Sequence, residues 1–329
     1  MNVIRASALG YCAGVRRAVE IALREAAAAA PHTVYTVGPL IHNPAVLERL
    51  KERGIVALEE DGGAGFAAPP VSHGATAVIR AHGITPRAEE RLRERGFRIT
   101  DATCPTVKKN QTLAQGLAET GYRVFLAGEK RHAEIIGIQG YAPGSIVVEN
   151  AHDALRCARI LYAEQPAAKT ALIAQTTMSI DEYAAIRESL QTVFPAVTIY
   201  DTICSATRER QDALRNLCSK TDAVIIAGGR NSANTRHLLA IAESVYAASG
   251  AYKPALLVEH AREIPDSFLK GGTAYNTIGI SAGASTPDDI IDGIERTLRG
   301  WEMDSPPPAP PRQPADSTRQ DDPRNARPL

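Results

Sequence analysis

Short apolar, β-branched runs alternate with longer amphipathic segments along the first 300 or so residues. The runs Thr33–Val37, Thr76–Ile79, Arg123–Ala127, Ser145–Val148, Thr170–Ala174, Ala223–Ala227, Ala255–Val258 and Thr277–Ser281 predict strands. They lack a strict in–out alternation, which is the pattern of parallel strands covered on both faces. Helical spacing of apolar positions predicts helices over Ala13–Ala29, Pro44–Arg53, Pro86–Arg95, Val107–Thr120, Ile180–Thr192, Arg208–Ser219, Thr235–Ala248 and Pro287–Arg299. Such alternation is the signature of an α/β architecture.

Punctuation supports the same reading. Asn43-Pro44, Thr85-Pro86 and Thr286-Pro287 each set a capping side chain before a proline at a first helical position. Ser179 with Glu182, and Thr286 with Asp289, have capping-box spacing. The recurrence predicts similar βα groups in lobes of about 100 residues. The expected lobes are 1–103, 104–200 and 201–301, the N-terminal strand being a candidate member of the third. Residues 302–329 contain eight prolines and no apolar periodicity, which predicts a disordered tail. In such sheets ligands collect beyond the carboxyl ends of the strands, where helix N-termini present free N–H groups.

Composition narrows the function. Lys plus Arg and Asp plus Glu both number 37, so the formal net charge is zero and polyanion binding through overall charge is disfavoured; no nucleic-acid partner is expected. The 44% apolar content supports a sizeable core, and with 5% aromatics that core is built mainly of Ala, Val, Ile and Leu. No apolar run approaches the ~20 residues of a membrane span, and the first residues lack secretory-signal character. A cytoplasmic location with no membrane partner is the expectation. The five cysteines are odd in number and widely spread, so metal or catalytic roles are favoured over a disulfide framework.

Three cysteines share a context. Cys12, Cys104 and Cys204 each lie just before a predicted helix, separated by 92 and 100 residues. A helix N-terminus favours a thiolate. Three converging thiolates suit an iron–sulfur cluster with one iron left open, although spacing alone favours three unrelated buried cysteines. Cys157 and Cys218 fall inside helical patterns and read as structural. His42, His82 and His132 occupy loops near helix starts, and Glu134 lies two residues from His132, within reach for proton transfer. His73, His152, His237 and His260 lack such context. The loops Gly228–Asn234 and Ser281–Pro287 offer small residues, hydroxyls and backbone N–H groups suited to a diphosphate, and Gln175-Thr176-Thr177 forms a third polar turn. None is a P-loop or a dinucleotide fingerprint.

These residues occur in an ordered set: Gly10-Tyr11-Cys12-Ala13-Gly14-Val15, His42-Asn43, Ala81-His82-Gly83, Asp101-Ala102-Thr103-Cys104-Pro105, His132-Ala133-Glu134, Gln175-Thr176-Thr177, Ile203-Cys204-Ser205-Ala206-Thr207, Asn231-Ser232-Ala233-Asn234 and Ala282-Gly283-Ala284-Ser285-Thr286-Pro287. The set resembles the 4-hydroxy-3-methylbut-2-enyl diphosphate reductase family over residues 1 to about 300. The resemblance implies a three-lobed α/β fold with pseudo-threefold symmetry around a central cluster. It implies a [4Fe–4S] cluster on Cys12, Cys104 and Cys204, its fourth iron open to the substrate hydroxyl. His42, His82, Ser232, Asn234 and Ser285 are then expected to hold the diphosphate. His132, Thr176 and Glu134 surround the hydroxymethyl end, with Glu134 the main proton source. The implied reaction is reductive dehydroxylation to isopentenyl and dimethylallyl diphosphates, the last step of the methylerythritol phosphate pathway, fed by an external one-electron donor such as ferredoxin or flavodoxin. Ala233 departs from the pattern, since the family often carries a second hydroxyl there. An iron–sulfur sensor or carrier without turnover needs the thiolates but neither Glu134 nor the diphosphate loops. A zinc hydrolase with Cys and His ligands is the other alternative.

Overall fold

The structure, a computed structural model, describes residues 1–29, 33–60, 66–67, 75–250, 253–269 and 275–300. The expectations for His73 and for the tail 302–329 lie outside the described residues. The strands are β1 (Asn2–Arg5), β2 (Val34–Val37), β3 (Ile55–Glu60), β4 (Phe66–Ala67), β5 (Thr76–Ile79), β6 (Arg98–Asp101), β7 (Arg123–Ala127), β8 (Ile146–Val148), β9 (Thr170–Ala174), β10 (Thr198–Ile199), β11 (Ala223–Ala227), β12 (Ala255–Val258) and β13 (Thr277–Ala282). The helices are α1 (Ala13–Ala29), α2 (Pro44–Lys51), α3 (Pro86–Glu94), α4 (Pro105–Glu119), α5 (Ala133–Tyr141), α6 (Ala151–Glu164), α7 (Ile180–Gln191), α8 (Ser205–Cys218), α9 (Ala233–Ala248) and α10 (Asp288–Arg299).

The strands form three sheets, ordered β4-β3-β2-β5-β6, β10-β9-β7-β8 and β1-β13-β11-β12. Every pairing is parallel except the short antiparallel β3–β4 contact. The expected α/β class with mostly parallel sheets is therefore the one observed. The first strand pairs with the last, Asn2 opposite Thr277 and Arg5 opposite Ile280. Coverage on both faces explains the missing alternation. Along β7, Phe125 and Ala127 join one apolar cluster while Val124 and Leu126 join the other. Along β11, Ala223, Ile225 and Ala227 are divided from Val224 and Ile226 in the same way.

The three sheets repeat one plan. A central strand (β2, β7 or β11) runs into α2, α5 or α9. Its neighbour (β5, β9 or β13) runs into α3, α7 or α10. An edge strand (β6, β10 or β1) runs into a helix opened by a cysteine: α4, α8 or α1.

The capping expectations divide. Asn43 and Thr85 accept hydrogen bonds from the N–H groups of Val46 and Ala88. Thr286 does not cap: the α10 cap is Pro287, and the Thr286 hydroxyl donates to the Ala227 carbonyl. Ser179 makes no side-chain cap; the Ile180 N–H donates to Gln211, and Glu182 accepts from the Ala151 N–H on a neighbouring helix.

Candidate active site

All three kinds of junction open at the carboxyl ends of the strands, and nine of them line one cavity. The edge-strand junctions contribute Cys12, Cys104 and Cys204. The central junctions contribute His42, His132 and Ser232. The remaining three contribute His82, Thr176 and Ser285. Ten of the eleven expected site residues thus meet in one wall. The eleventh, Glu134, stands directly behind Thr176.

Each helix that starts at one of these cysteines turns the same positions inward. Gly14 and Val15, Thr106 and Val107, and Ala206 and Thr207 all line the cavity beside their cysteine. Gly14 is required by proximity: a Cβ there would lie 2.5 Å from the Cys104 Sγ and 4.0 Å from that of Cys12. The Val15 N–H points at the Cys12 sulfur, 3.4 Å away. Burial pushes the Cys104 thiol up, although hydrogen bonds from the Thr106 and Val107 N–H groups oppose it. The expectation that a helix start by itself favours the thiolate therefore fails at Cys104, where desolvation wins. A bound cation reverses that balance, because a coordinating thiol is deprotonated outright. Three cavity-facing sulfurs, one nested against a glycine, form a donor set that fits an iron–sulfur cluster. Cys157 and Cys218 lie elsewhere, packed against the second and third sheets.

The histidines line the same cavity. The His42 and His82 rings stack at 4.4 Å, and His132 meets them edge-on at 5.5 and 5.2 Å. His132 lowers to about 3, chiefly through burial and then through His42 and the nearby Arg80 guanidinium. His82 falls well below its ordinary value for the same first reason, with His42, His132 and Arg80 adding to it. Both rings are therefore neutral near pH 7. The Nδ1 of His132 accepts from the Glu134 N–H at 3.1 Å, which places the ring proton on Nε2. Two further polar groups await a ligand. Buried Asn234 has an Nδ2 donor with no partner among the described residues, as has His82 at Nδ1. Ser232 caps α9 by accepting from the Thr235 N–H, leaving its own proton to donate. Ser285 instead donates to the His42 carbonyl at 3.0 Å and so ties two junctions together. Ala233 lines the wall with no hydroxyl to offer.

Glu134 is 1% exposed. Its two oxygens accept from the Thr176 N–H at 2.7 Å and the Thr176 hydroxyl at 2.6 Å. Burial raises this carboxyl to about 7 despite those two bonds. A carboxyl that is half protonated near neutrality, one hydroxyl away from the cavity, is suited to deliver a proton.

Several contributors carried no mark in the sequence that pointed to the role they play here. Arg80 follows β5 directly; it is buried and shifts both histidines. Gln175 accepts from the Glu129 N–H and braces the loop before His132. His237, expected to be incidental, donates from Nδ1 to the Thr177 carbonyl at 2.7 Å and supports the Thr176 turn from the third sheet. Arg210 is buried and donates to the Gly10 carbonyl at 2.6 Å, anchoring the loop that carries Cys12. His152 and His260 are exposed and away from the cavity, as expected.

Three cysteine sulfurs, three clustered histidines and one unpartnered amide donor around a single cavity define the class of protein as one with a Cys- and His-lined pocket at the carboxyl ends of parallel strands. The chain belongs to the LytB protein family, whose model matches residues 3–299. Among curated proteins it is similar to the 4-hydroxy-3-methylbut-2-enyl diphosphate reductase of Treponema denticola, with 41% identity over 91% of this chain and 99% of that one. The reductase of the same name from Treponema pallidum is 39% identical over 90% and 83% of the two chains. Two solved structures also match. The E-1-hydroxy-2-methyl-but-2-enyl-4-diphosphate reductase of Plasmodium falciparum aligns with a TM-score of 0.75 at 28% identity, over 88% of this chain and 85% of that one. A structure of (E)-4-hydroxy-3-methyl-but-2-enyl diphosphate reductase, described as the terminal enzyme of the non-mevalonate pathway, aligns with a TM-score of 0.62 at 35% identity, over 91% and 100%. No helix among the described residues is long and apolar enough to cross a membrane.

Proposed function

We propose that this pocket converts (E)-4-hydroxy-3-methylbut-2-enyl diphosphate to isopentenyl and dimethylallyl diphosphates. The observation that carries the reading is the meeting of Cys12, Cys104 and Cys204 with the histidines, Ser232, Asn234 and Thr176 around one cavity. A [4Fe–4S] cluster held by the three cysteines supplies electrons and an open coordination position. The electrons come from an external one-electron donor such as ferredoxin or flavodoxin.

The chain's own residues do the rest. Ser232 and the unpartnered Asn234 amide donate to the diphosphate, and the helix N-termini add free N–H groups. Ser285 joins them when its hydroxyl turns from the His42 carbonyl. Negative charge beside His82 favours its protonated form and opposes the effect of burial. His132 offers its Nε2 proton to the substrate oxygen. Removing an allylic hydroxyl with two electrons consumes two protons, one to release the oxygen as water and one to form the new C–H bond. Glu134 holds such a proton and passes it through the Thr176 hydroxyl; protonation at one or the other allylic carbon selects the product. Clamping the diphosphate fixes the allyl group and supplies the proximity contribution.

A second reading, a zinc hydrolase, draws on the His42, His82 and His132 nitrogens, which lie within 4.8 Å of one another. Family membership favours the reductase. The test is an anaerobic assay with the allylic diphosphate and reduced methyl viologen, beside metal and sulfide analysis. Glu134→Gln is expected to keep iron and sulfide and to bind substrate, while turnover falls by about 10²-fold or more. Full turnover in that variant places the proton source elsewhere. Zinc without iron or sulfide, in protein that shows no reductive turnover, supports the hydrolase.

A further inference from the structure

The helices that open at the cysteines have a second side. Where the second and third positions after each cysteine face the cavity, the first and fifth face solvent: Ala13 and Arg17, Pro105 and Lys109, Ser205 and Glu209. The fourth position is basic in all three helices, as Arg16, Lys108 and Arg208. In a chain of zero net formal charge, this clustering is local.

The cations concentrate between α1 and α4. Arg17, Lys108 and Lys109 line a surface cleft together with Thr103, Pro105 and Thr112. Asp101 pairs with Lys108 at 3.4 Å and is the cleft's one carboxylate among the described residues. Arg208 pairs with Asp201, and Glu209 adds a further negative charge on the α8 side. Among the described residues no ion pair engages Arg16, Arg17 or Lys109, although the Arg17 guanidinium donates to the Thr103 carbonyl at 3.1 Å. The cleft is lined by the residues on both sides of Cys104, while Cys104 itself faces the cavity. One turn of α4 thus separates the reaction pocket from a basic surface.

We infer that the α1–α4 cleft is the docking surface for a small acidic one-electron carrier protein. The inference rests on the reductase reading above, which requires electrons from outside, and it names where they enter. A carrier seated on Lys109, Lys108 and Arg17 lies against the Thr103–Pro105 backbone, immediately outside Cys104. Uncompensated exposed cations steer an acidic partner and set its orientation, and that contribution weakens with salt.

The test compares wild type with Lys109→Glu and with Lys108→Glu/Lys109→Glu, using Arg187→Glu on α7 as a control for charge alone. Binding of a fluorescently labelled acidic ferredoxin is followed by anisotropy across a salt series. Turnover is measured twice, with reduced ferredoxin and with reduced methyl viologen, which needs no protein docking surface. The double variant is expected to bind ferredoxin about tenfold or more weakly, with a shallower salt dependence, and to lose ferredoxin-driven turnover in proportion. Its methyl viologen turnover and iron content stay within about twofold of wild type, and Arg187→Glu changes little. Unchanged ferredoxin binding in the double variant overturns the proposal. So does equal loss with both reductants, which would place the lysines in the reaction machinery, and so does failure of wild type to bind ferredoxin. Absence of methyl viologen turnover in wild type, by contrast, is a failure of the reductase reading itself.

Discussion

The junctions after β7 and β11, 100 residues apart, share a backbone and differ in chemistry. In one, the chain reads Ala127-Gly128-Glu129-Lys130-Arg131-His132-Ala133-Glu134; in the other, Ala227-Gly228-Gly229-Arg230-Asn231-Ser232-Ala233-Asn234. Three backbone hydrogen bonds correspond. Gly128 N–H donates to Val148, and Gly228 N–H to Val258. The Ala127 carbonyl accepts from Gln175, and the Ala227 carbonyl from Gly283. The His132 N–H donates to Glu129, and the Ser232 N–H to Gly229. His132 and Ser232 are equivalent helix caps, and Glu134 and Asn234 are equivalent second residues of the helix. A Gly-rich turn and a helix N-terminus supply geometry, while two side chains decide what that geometry does. In the proposed reaction one pair would store and move a proton, and the other would donate hydrogen bonds to an anion.

The largest expected consequence of that difference concerns the carboxyl group that Asn234 lacks. In the unfolded chain Glu134 loses its proton near the ordinary value of 4.5; in the fold it keeps it to about 7. Deprotonating a group this deeply buried costs stability as the pH rises through that window, by about 3 kcal/mol in full, and the cost vanishes below the unfolded value. Urea unfolding of anaerobically purified protein at pH 5 and pH 8 is expected to show wild type losing more stability than Glu134→Gln. With the carboxyl as proton donor, turnover in wild type also declines as the pH passes about 7. Equal pH sensitivity of the two proteins would remove Glu134 from both roles.

The same pair of junctions shows what could be read in the chain. The buried central strands and their helix caps stood out because local pattern and tertiary burial agree there. Four strands lie outside the predicted set: β6 is Arg-Ile-Thr-Asp at a sheet edge, β4 and β10 have two residues each, and β3 is an Ile-Val-Ala-Leu-Glu-Glu run whose apolar half is brief; the N-terminal strand expected to join the third lobe does so as β1, paired with β13. Helix α5 escaped because much of it is buried, including Glu134 and Gly137, so no polar stripe marks it. The site was readable as motifs, since each functional residue occupies a loop fixed by a strand end. The supporting contacts were not. Arg80, Gln175, Arg210 and His237 act through partners up to 200 residues away, and local sequence carries no trace of such pairings. Nor does a sequence reveal that burial at Cys104 outweighs its helix start.

A smaller effect is expected at the junction after β11. Asn234→Ala removes a buried amide donor that has no partner among the described residues, so the fold loses little hydrogen bonding. Losing a hydrogen bond to a charged oxygen costs about 1.5–3 kcal/mol, which raises KM for the allylic diphosphate by roughly tenfold or more. The value of kcat stays within about twofold, because the lost contact is present before and during the reaction. Glu134→Gln shows the reverse division, a lower kcat with little change in binding. Steady-state kinetics with reduced methyl viologen separates the two. A fall in kcat alone for Asn234→Ala would deny the division of labour between the junctions.

The smallest effect lies outside the cavity, where the correspondence continues. Lys130 donates from its backbone to Glu149 and from its side chain to Asp153; Arg230 donates from its backbone to Glu259 and from its side chain to Glu263. In both, the first acid's N–H donates to the second acid's carboxylate. These brackets hold the turns, but both cations are about half exposed, so water and salt screen them. Asp153 is the better shielded acid: burial alone would raise it, yet hydrogen bonds from Arg156 and Lys130 hold it down at about 2. Lys130→Ala is therefore expected to cost up to about 1 kcal/mol near pH 7, since Arg156 still compensates the aspartate. Arg230→Ala costs less, because its side chain is the more exposed of the two and its acid partner Glu263 is less shielded than Asp153. Neither variant changes kcat by more than about twofold, since the backbone bonds that shape each turn survive. Urea midpoints at low and high salt, read beside kcat, check this. A larger loss in Arg230→Ala than in Lys130→Ala, or a difference that salt does not shrink, would mean the third junction depends on its ion pairs in a way the second does not.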